Sequence, residues 1–185
     1  MQHASRRFCA VCLAVLLAAC ERAPTLPKLN SHDVIVAFGD SLTHGTGASS
    51  DTAYPAVLAS LTGRTVINAG IPGELSEQGV GRLDPLLLKH KPDLLLLCHG
   101  GNDILRSIPA KQTVDNLTQM IAESKRRNIE VILLGVPKPN VFMLSSAEFY
   151  QTIADASEVI ADLETLPEIL GNNKLKSDLI HPNDD

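Results

Sequence analysis

Short apolar runs rich in leucine and β-branched residues alternate along the chain with longer segments of mixed polarity. Apolar runs of about four to eight residues are typical of strands buried on both faces of a sheet, whereas the longer segments have the length of helices. Alternating strands and helices indicate an α/β fold in which a parallel sheet is covered on both sides. The predicted strands lie near residues 34–38, 65–68, 93–98, 130–135 and 158–162.

Four of the intervening segments carry helical signals. The segment 110–128 places apolar residues on one face at helical spacing, and its closing cluster of basic residues suits the carboxyl end of a helix dipole. Gly79, Gly81 and Pro85 are expected to weaken or kink the helix over 76–90. Ser145 or Ser146 can cap the last helix. The predicted helices span residues 54–61, 76–90, 110–128 and 145–156.

The first residues have the layout of an export signal. Arg6 and Arg7 precede an apolar run over residues 8–19, which is shorter than the roughly 20 residues that a membrane-spanning helix needs. The run ends in Leu-Ala-Ala-Cys20, which resembles the lipobox of bacterial lipoproteins. This resemblance implies that Cys20 is lipidated and becomes the first residue of the mature chain. The alternative is an ordinary signal peptide cut nearby, with Cys20 incidental.

The chain therefore divides into three predicted parts. Residues 1–19 are a signal peptide, residues 20–32 are the lipidated cysteine and a proline-containing tether, and residues 33–185 are a single domain. The mature protein is expected to be exported and anchored to a membrane through Cys20, facing the periplasm. Glu21 is not the aspartate that is associated with inner-membrane retention in some bacteria, which favours the outer membrane.

Charge and composition argue against several classes of partner. Removal of residues 1–19 takes away two arginines and no acidic residue, so 14 of the 16 basic side chains remain against 21 acidic ones. This acidity argues against a nucleic-acid partner, which calls for a basic patch. An aromatic content of 3% without tryptophan also argues against a groove that stacks single strands. Cys98 follows a leucine-rich run and is expected to be a buried apolar residue at a strand end.

A candidate nucleophile follows the first predicted strand. That strand stops at Gly39, and the next residues are Asp40 and Ser41, so the Ser41 hydroxyl would project from the edge where open parallel sheets place their ligands. A serine hydroxyl acts as a nucleophile only with a base within hydrogen-bond reach and with donors for the developing oxyanion. The alternative is that Asp40 or Ser41 only caps the next helix, as both residue types often do.

Two further blocks could supply the oxyanion donors. The second strand is followed by a loop containing Gly70 and Gly73, and backbone N–H groups in such a loop can face an anion. The third strand is followed by His99-Gly-Gly-Asn102-Asp103, in which the Asn102 amide can donate to an oxygen that gains charge. Each block taken alone favours an ordinary turn over an oxyanion site.

The block Asp178-Leu-Ile-His181 could supply the base. Residues three apart in a loop can bring the Asp178 carboxylate onto one nitrogen of the His181 imidazole, which leaves the other nitrogen free to take a proton from Ser41. A surface loop with solvated side chains is the alternative. His44 and His99 are competing bases, but neither has a carboxylate at this spacing.

Metal and phosphate sites fit the sequence less well. His44, His99, Asp103 and Asp178 are of types that bind divalent ions, but the mature chain has no His-x-x-x-His or Cys-x-x-Cys spacing. The segment 39–47 contains glycine but lacks the Gly-Lys-Ser/Thr end of a phosphate loop. Neither a metal site nor a nucleotide-binding site is therefore expected.

The four blocks together are similar, in order and spacing, to the SGNH (GDSL) hydrolase family. The matching residues are Gly39-Asp-Ser-Leu42, Gly73, Gly100-Gly-Asn-Asp103 and Asp178-x-x-His181. The branch that they resemble contains bacterial arylesterases, acyl thioesterases and lysophospholipases. Thr43 stands where an α/β-hydrolase elbow would have its second glycine, so the turn differs from that motif.

The resemblance implies a flavodoxin-like three-layer α/β/α sandwich with a parallel sheet, no cofactor, and hydrolysis through an acyl-enzyme. By position, Ser41 would be the nucleophile, His181 the base and Asp178 the acid that orients it. The oxyanion hole would consist of the Ser41 and Gly73 backbone N–H groups and the Asn102 side chain. The family usually continues past His-Pro-Asn into a closing helix, and we expect this chain to lack that helix.

Three functional hypotheses follow. The first is a membrane-anchored serine esterase that acts on small aryl or acyl esters, lysophospholipids or acyl thioesters. The second is a non-catalytic envelope lipoprotein that keeps the fold and binds a ligand or partner. The third is a carbohydrate acetyl esterase, which would share the catalytic residues and differ in its pocket.

Overall fold

The computed structural model of the protein describes residues 24–138 and 144–185. The predicted signal peptide over 1–19 and the predicted lipid attachment at Cys20 lie outside the described residues. Within the two described ranges, no helix is both long enough and apolar enough to cross a membrane.

Five parallel strands form the central sheet, and two shorter strands form a separate antiparallel pair. The strands are β1 (Val34–Gly39), β2 (Thr65–Gly70), β3 (Leu94–Cys98), β4 (Glu130–Leu134), β5 (Pro137–Lys138), β6 (Ser145–Ser146) and β7 (Ile160–Asp162). The strand order in the sheet is β2-β1-β3-β4-β7, and β5 pairs with β6. All five predicted strands are therefore present, within two residues of the predicted bounds.

Helices cover both faces of the sheet. They are α1 (Ser41–His44), α2 (Tyr54–Thr62), α3 (Ser76–His90), α4 (Gly101–Leu105), α5 (Ala110–Arg126), α6 (Phe149–Ser157) and α7 (Thr165–Gly171), followed by a 3-10 turn at Asn173–Leu175. Side chains alternate along each strand, so Phe38 and Leu97 pack in the cluster that includes α3, α5 and α6. Ile35 and Leu96 pack on the other face against Leu58 of α2. The predicted three-layer α/β arrangement with a parallel sheet is confirmed.

The middle strand of the sheet, β3, is entirely apolar. Every residue of β3 is buried, and Cys98 at its end is a free thiol that is only 1% exposed, as predicted. Strands buried on both faces read as continuous apolar runs, which explains why the sequence signal for β1 and β3 was strong. Pro85 lies inside α3, which nevertheless runs without interruption over 76–90 as predicted.

The helix predicted over residues 145–156 begins later than expected. Helix α6 starts at Phe149, and Ser145 and Ser146 belong to β6 instead. Ser146 does not cap a helix, because its hydroxyl donates to the Leu163 carbonyl oxygen at 2.7 Å. Pairing with β5 thus overrides the local capping signal. The short helices α1, α4 and α7 were not predicted, because segments of four to seven residues are too short to show a helical period.

Truncation of a central core residue is expected to destabilise the protein strongly. Leu97 is fully buried in β3, so Leu97→Ala should lower the free energy of unfolding by about 2–5 kcal/mol through lost burial and the cavity left behind. Leu88→Ala, on the exposed side of α3, is the matched control and should change it by no more than about 0.5 kcal/mol. Urea unfolding of the two variants measures the difference, and equal values would contradict the assignment of the core.

Candidate active site

The first strand delivers Ser41 to the carboxyl edge of the sheet. β1 ends at Gly39, and Asp40 is the N-cap of α1, where its Oδ1 accepts a hydrogen bond from the Leu42 N–H at 3.1 Å. The capping role therefore falls to Asp40. The Ser41 hydroxyl is left free to contact residues on other loops.

Gly39 allows the end of β1 to pack closely against the end of β3. A Cβ at this position would lie 2.0 Å from the carbonyl oxygen of Cys98 and 2.4 Å from the Thr43 hydroxyl oxygen. Because the end of β1 packs this closely against the end of β3, no residue with a side chain fits without displacing the backbone. The glycine thus fixes how near Ser41 lies to the loop that follows β3.

Ser41, His181 and Asp178 form a continuous hydrogen-bonded chain. His181 Nε2 lies 2.9 Å from Ser41 Oγ, and His181 Nδ1 lies 2.8 Å from Asp178 Oδ2. Asp178 Oδ1 accepts from the backbone N–H groups of Ile180 and His181 at 2.8 and 2.9 Å. The hydrogen bond from the His181 side chain, followed by that from the Ile180 N–H, lowers the pKa of Asp178. Asp178 therefore stays ionised and fixes the Nδ1–H tautomer of His181.

Contacts within residues 174–185 and to the loop after α1 hold His181 in place. The Ser177 N–H donates to the His181 carbonyl oxygen at 3.0 Å, and the Asn183 N–H donates to that of Leu175 at 3.0 Å. Asp184 Oδ1 accepts from the Ser49 N–H at 2.8 Å and also from the Thr52 hydroxyl. His181 is therefore positioned by contacts within its own loop and by the Asp184 carboxylate, which binds residues more than 130 positions earlier in the chain.

Asn102 lies beside the Asp40–Ser41 turn, at the start of α4. Its Nδ2 donates to Asp40 Oδ2 at 3.2 Å and to the Glu74 carbonyl oxygen at 3.1 Å. Burial raises the pKa of Asp40, although the Leu42 N–H and Asn102 act in the opposite direction. The two hydrogen bonds orient the amide nitrogen of Asn102 towards the loops that carry Ser41 and Gly73.

Gly73 occupies the loop after β2 with a φ of +77°, a conformation that favours glycine. Its carbonyl oxygen accepts from Arg106 Nη2 at 3.1 Å, and the next residue, Glu74, contacts Asn102. The predicted donor residues are thus on neighbouring loops. Gly73 itself does not line the cavity beside Ser41.

A cavity of about 270 Å³ opens beside Ser41 and His181. Its wall is mainly apolar, and the polar groups in it belong to Asp40, Ser41, Asn102 and His181. The apolar lining residues are Leu42, Ile104, Leu105, Val136, Pro137, Leu144, Leu170, Leu179 and Ile180. A concave apolar site with a few convergent polar groups suits a small ligand with an apolar portion.

The competing histidines lie elsewhere. His44 is exposed, and His99 is fully buried with its Nε2 3.0 Å from Glu74 Oε2. Asp103 accepts hydrogen bonds from Ser76, so it does not join His44, His99 or Asp178. Within residues 24–138 and 144–185, no three metal-binding side chains come together.

Sequence reasoning missed the buried group formed by Glu74, Arg82 and His99. Arg82 donates to both carboxylate oxygens of Glu74, and His99 contacts one of them. Their spacing in sequence has no recognisable pattern. The one signal in the sequence was that these three ionisable residues stand in or beside segments predicted to pack against other elements.

A family model described as "GDSL-like Lipase/Acylhydrolase family" matches residues 37–185. The chain belongs to this family. It is 34% identical over 160 residues to thioesterase 1/protease 1/lysophospholipase L1 of Escherichia coli K12, covering 83% of this chain and 77% of that protein. Together these similarities make the chain a hydrolase that acts on ester bonds.

Solved structures of esterases share this fold. The psychrotrophic esterase EstA from Pseudoalteromonas sp., in a structure inhibited by monoethylphosphonate, superposes with a TM-score of 0.72 at 26% identity, over 82% of this chain and 88% of that one. AlinE4, an SGNH-hydrolase family esterase, superposes with a TM-score of 0.71 at 27% identity, over 84% of this chain and 89% of that one.

Loss of the Asp184 carboxylate is expected to impair ester hydrolysis. Hydrogen bonds from Thr52 and then Ser49 lower the pKa of Asp184, so this contact is complete above the ordinary carboxyl pKa and is lost as the pH falls through the lowered value. Asp184→Ala should lower kcat about tenfold or more, because a small displacement of His181 weakens proton transfer. Asp185→Ala is the control, and steady-state assays at pH 7 that give equal kcat values would refute this role.

Proposed function

We propose that the protein hydrolyses carboxylic esters through an acyl-enzyme on Ser41, with His181 as general base and Asp178 as the residue that orients it. The observation that carries this proposal is the chain of hydrogen bonds from Asp178 through His181 to Ser41 Oγ. Such a chain activates an otherwise inert hydroxyl, because the imidazole accepts the proton as the oxygen attacks.

Acylation would begin with attack of Ser41 Oγ on the ester carbonyl carbon. The hydroxyl proton passes to His181 Nε2, and the carbonyl oxygen becomes an oxyanion, for which we propose the Ser41 N–H, the Gly73 N–H and Asn102 Nδ2 as donors. The oxyanion would replace Asp40 Oδ2 as the acceptor of one Asn102 amide hydrogen. When the tetrahedral intermediate collapses, the imidazolium returns the proton to the leaving alcohol or thiol. Water, deprotonated by His181, then attacks the acyl-enzyme in the same manner and releases the acid and Ser41.

The cavity favours an aryl or acyl group as the portion of substrate bound beside Ser41. Its volume of about 270 Å³ and its mainly apolar wall suit a single chain or ring. The similarity to the E. coli protein named thioesterase 1/protease 1/lysophospholipase L1 supports acyl thioesters and lysophospholipids as further substrate classes. A sugar would need several polar groups for orientation, so an acetylated carbohydrate fits this wall less well.

The intact hydrogen-bonded chain also argues against a non-catalytic role. A protein that kept only the fold would have no need to hold Ser41, His181 and Asp178 within hydrogen-bond distance of one another. Esterase activity is therefore the function that the geometry supports best.

Replacement of Ser41 is expected to abolish turnover of p-nitrophenyl esters. Ser41→Ala and His181→Ala remove the nucleophile and the base, so each should lower kcat by about 10³-fold or more. Ser50→Ala, in the following exposed loop, is the control and should keep wild-type activity. Spectrophotometric initial rates measure the effect, and full activity in Ser41→Ala would overturn the proposal.

We also propose that the mature protein is an exported lipoprotein anchored through Cys20 and facing the periplasm. The support is the sequence of residues 6–20, with its basic start, apolar run and Leu-Ala-Ala-Cys ending. Attachment of more than one acyl chain would make the anchoring stable.

The described part of the predicted tether lies at the edge of the sheet opposite the site. Leu26 and Leu29 pack beside Ile35 and Leu94, near the beginnings of their strands, and Arg64 donates to the Leu29 carbonyl oxygen at 2.7 Å. Pro24 lies in a hollow with residues that open β4 and β7. The site, in contrast, lies at the carboxyl ends of the strands.

A lipid on Cys20 would therefore hold the opening of the site away from the anchoring membrane. Four peptide units from Cys20 to Pro24 reach about 14 Å at most, whereas a domain of this length is roughly 40 Å across. The opening would stand about 20 Å or more above that surface. Substrates would then enter from the aqueous side rather than directly from the anchoring bilayer.

Fluorophores attached at opposite ends of the domain are expected to report this orientation. Leu61 and Leu179 are both strongly exposed, the first at the end of α2 near the tether and the second at the opening of the site. With lipidated protein in vesicles, a lipid-borne quencher should affect a label at Leu61→Cys more than one at Leu179→Cys. Equal or reversed quenching would contradict the orientation, and a Cys20→Ser control that stays membrane-bound would contradict the anchor.

A further inference from the structure

Behind the Gly73 loop and the start of α4 lies a cluster of three ionisable side chains, Glu74, Arg82 and His99, of which Arg82 is partly exposed. Glu74 is 6% exposed and His99 is fully buried. Neither side chain reaches the cavity beside Ser41. Burial of a charge is costly unless it is paired and hydrogen-bonded, so the positions of these three side chains are strongly constrained.

Arg82 joins the ends of two strands to Glu74. Its guanidinium donates to both carboxylate oxygens of Glu74, and its Nη2 also donates to the carbonyl oxygens of Gly39 at 3.2 Å and Ala69 at 2.9 Å. The same guanidinium lies 4.0 Å from the centre of the Phe38 ring. A planar cation with several fixed donors is suited to such simultaneous contacts.

His99 adds the end of the third strand. Its Nε2 lies 3.0 Å from Glu74 Oε2, while its Nδ1 is buried and has no hydrogen-bond partner among the described residues. A charged imidazole would bury an unsatisfied Nδ1–H, so the neutral tautomer with the proton on Nε2 is favoured. Gly79 makes room for this ring, because a Cβ there would lie 2.6 Å from Nε2.

Glu74 is held as a carboxylate. Burial raises its pKa, but the hydrogen bonds from His99 and Arg82 and the charge of Arg82 outweigh that effect, so the pKa of Glu74 is lowered overall. With neutral His99, the cluster contains one negative and one positive charge, which balance without a further ion.

The backbone of Glu74 connects this cluster to the site. Its carbonyl oxygen accepts from Asn102 Nδ2 at 3.1 Å, and its peptide neighbour is Gly73. Arg82 Nη2 donates a hydrogen bond to the carbonyl oxygen of Gly39, two residues before Ser41. Glu74 is therefore linked to all three predicted oxyanion donors, to Asn102 by a hydrogen bond and to Gly73 by a peptide bond. The link to Ser41 runs through Arg82 and the backbone of Gly39 and Asp40.

We propose that Glu74, fixed by Arg82 and by neutral His99, is the positioning residue of the oxyanion hole, holding the Gly73 N–H and the Asn102 amide in place. This proposal rests on ester hydrolysis at Ser41. Donors act most strongly on developing charge when they need no reorganisation as the reaction proceeds. The ion pair of Glu74 and Arg82 would keep the donors rigid from the side away from the cavity, without touching the substrate.

Glu74→Gln tests the proposal, with Glu77→Gln on the exposed start of α3 as the matched control. Removal of the charge should loosen the loop, so kcat for a p-nitrophenyl ester should fall about 10- to 100-fold with KM changed less than about threefold. In an Asn102→Ala background the same substitution should cost much less, because the donor that it positions is already gone. Full activity of Glu74→Gln, or an undiminished loss in the double variant, would overturn the proposal.

His99 provides a second pair of variants if Glu74→Gln proves too unstable to assay. His99→Gln keeps an N–H donor for the Glu74 carboxylate, whereas His99→Leu removes it, so kcat should fall several-fold further in His99→Leu than in His99→Gln. Equal losses in the two variants would show that the ring only fills space and would contradict the proposal.

A readout that does not depend on turnover separates this inference from the proposed function. The ¹⁵N–¹H signals of the Gly73 backbone and of the Asn102 side chain should shift in Glu74→Gln or His99→Leu and stay in place in Glu77→Gln. Unmoved signals would refute the positioning role whatever the activity. Shifted signals in a protein that does not hydrolyse esters would support the positioning role of Glu74 and refute the proposed reaction instead.

Discussion

The site depends first on the parallel pairing of β1 with β2 and β3. In-register parallel strands end at one edge, so Gly39 lies opposite Gly70 on one side and Cys98 on the other. The residues that follow these three strand ends are Ser41, Gly73 and Asn102, which are separated by about 30 residues from one to the next in sequence. Their proximity is therefore a property of the sheet and needs no long-range loop to bring them together.

Two other interactions complete the arrangement from outside the sheet. The loop that carries His181 reaches Ser41 from 140 residues away and is tied to the loop after α1 by Asp184. On the buried side, Glu74 and Arg82 tie the strand ends to each other. The base is thus held by an exposed contact at Asp184, and the predicted oxyanion donors by a largely buried one at Glu74.

Most of the fold could be predicted because its elements carry their own signals. Strands buried on both faces leave continuous apolar runs, and α5 displays a regular apolar face. The prediction failed at residues 145–148, where pairing of Ser145 and Ser146 with β5 overrides a capping signal. Ser41 and Asn102 could be predicted because they stand in motifs that follow strands, and Asp178 and His181 because of their spacing in sequence. The contacts of Glu74, Arg82 and His99 exist only through tertiary packing, and no local sequence pattern indicates them.

The most direct measurement is peptide mass spectrometry of the folded protein after reaction with a fluorophosphonate, which forms a stable bond only with an activated serine. The account predicts one adduct per molecule, located on Ser41, and its loss in His181→Ala. An adduct on another residue, or an unmodified Ser41 in protein that still hydrolyses esters, would contradict it.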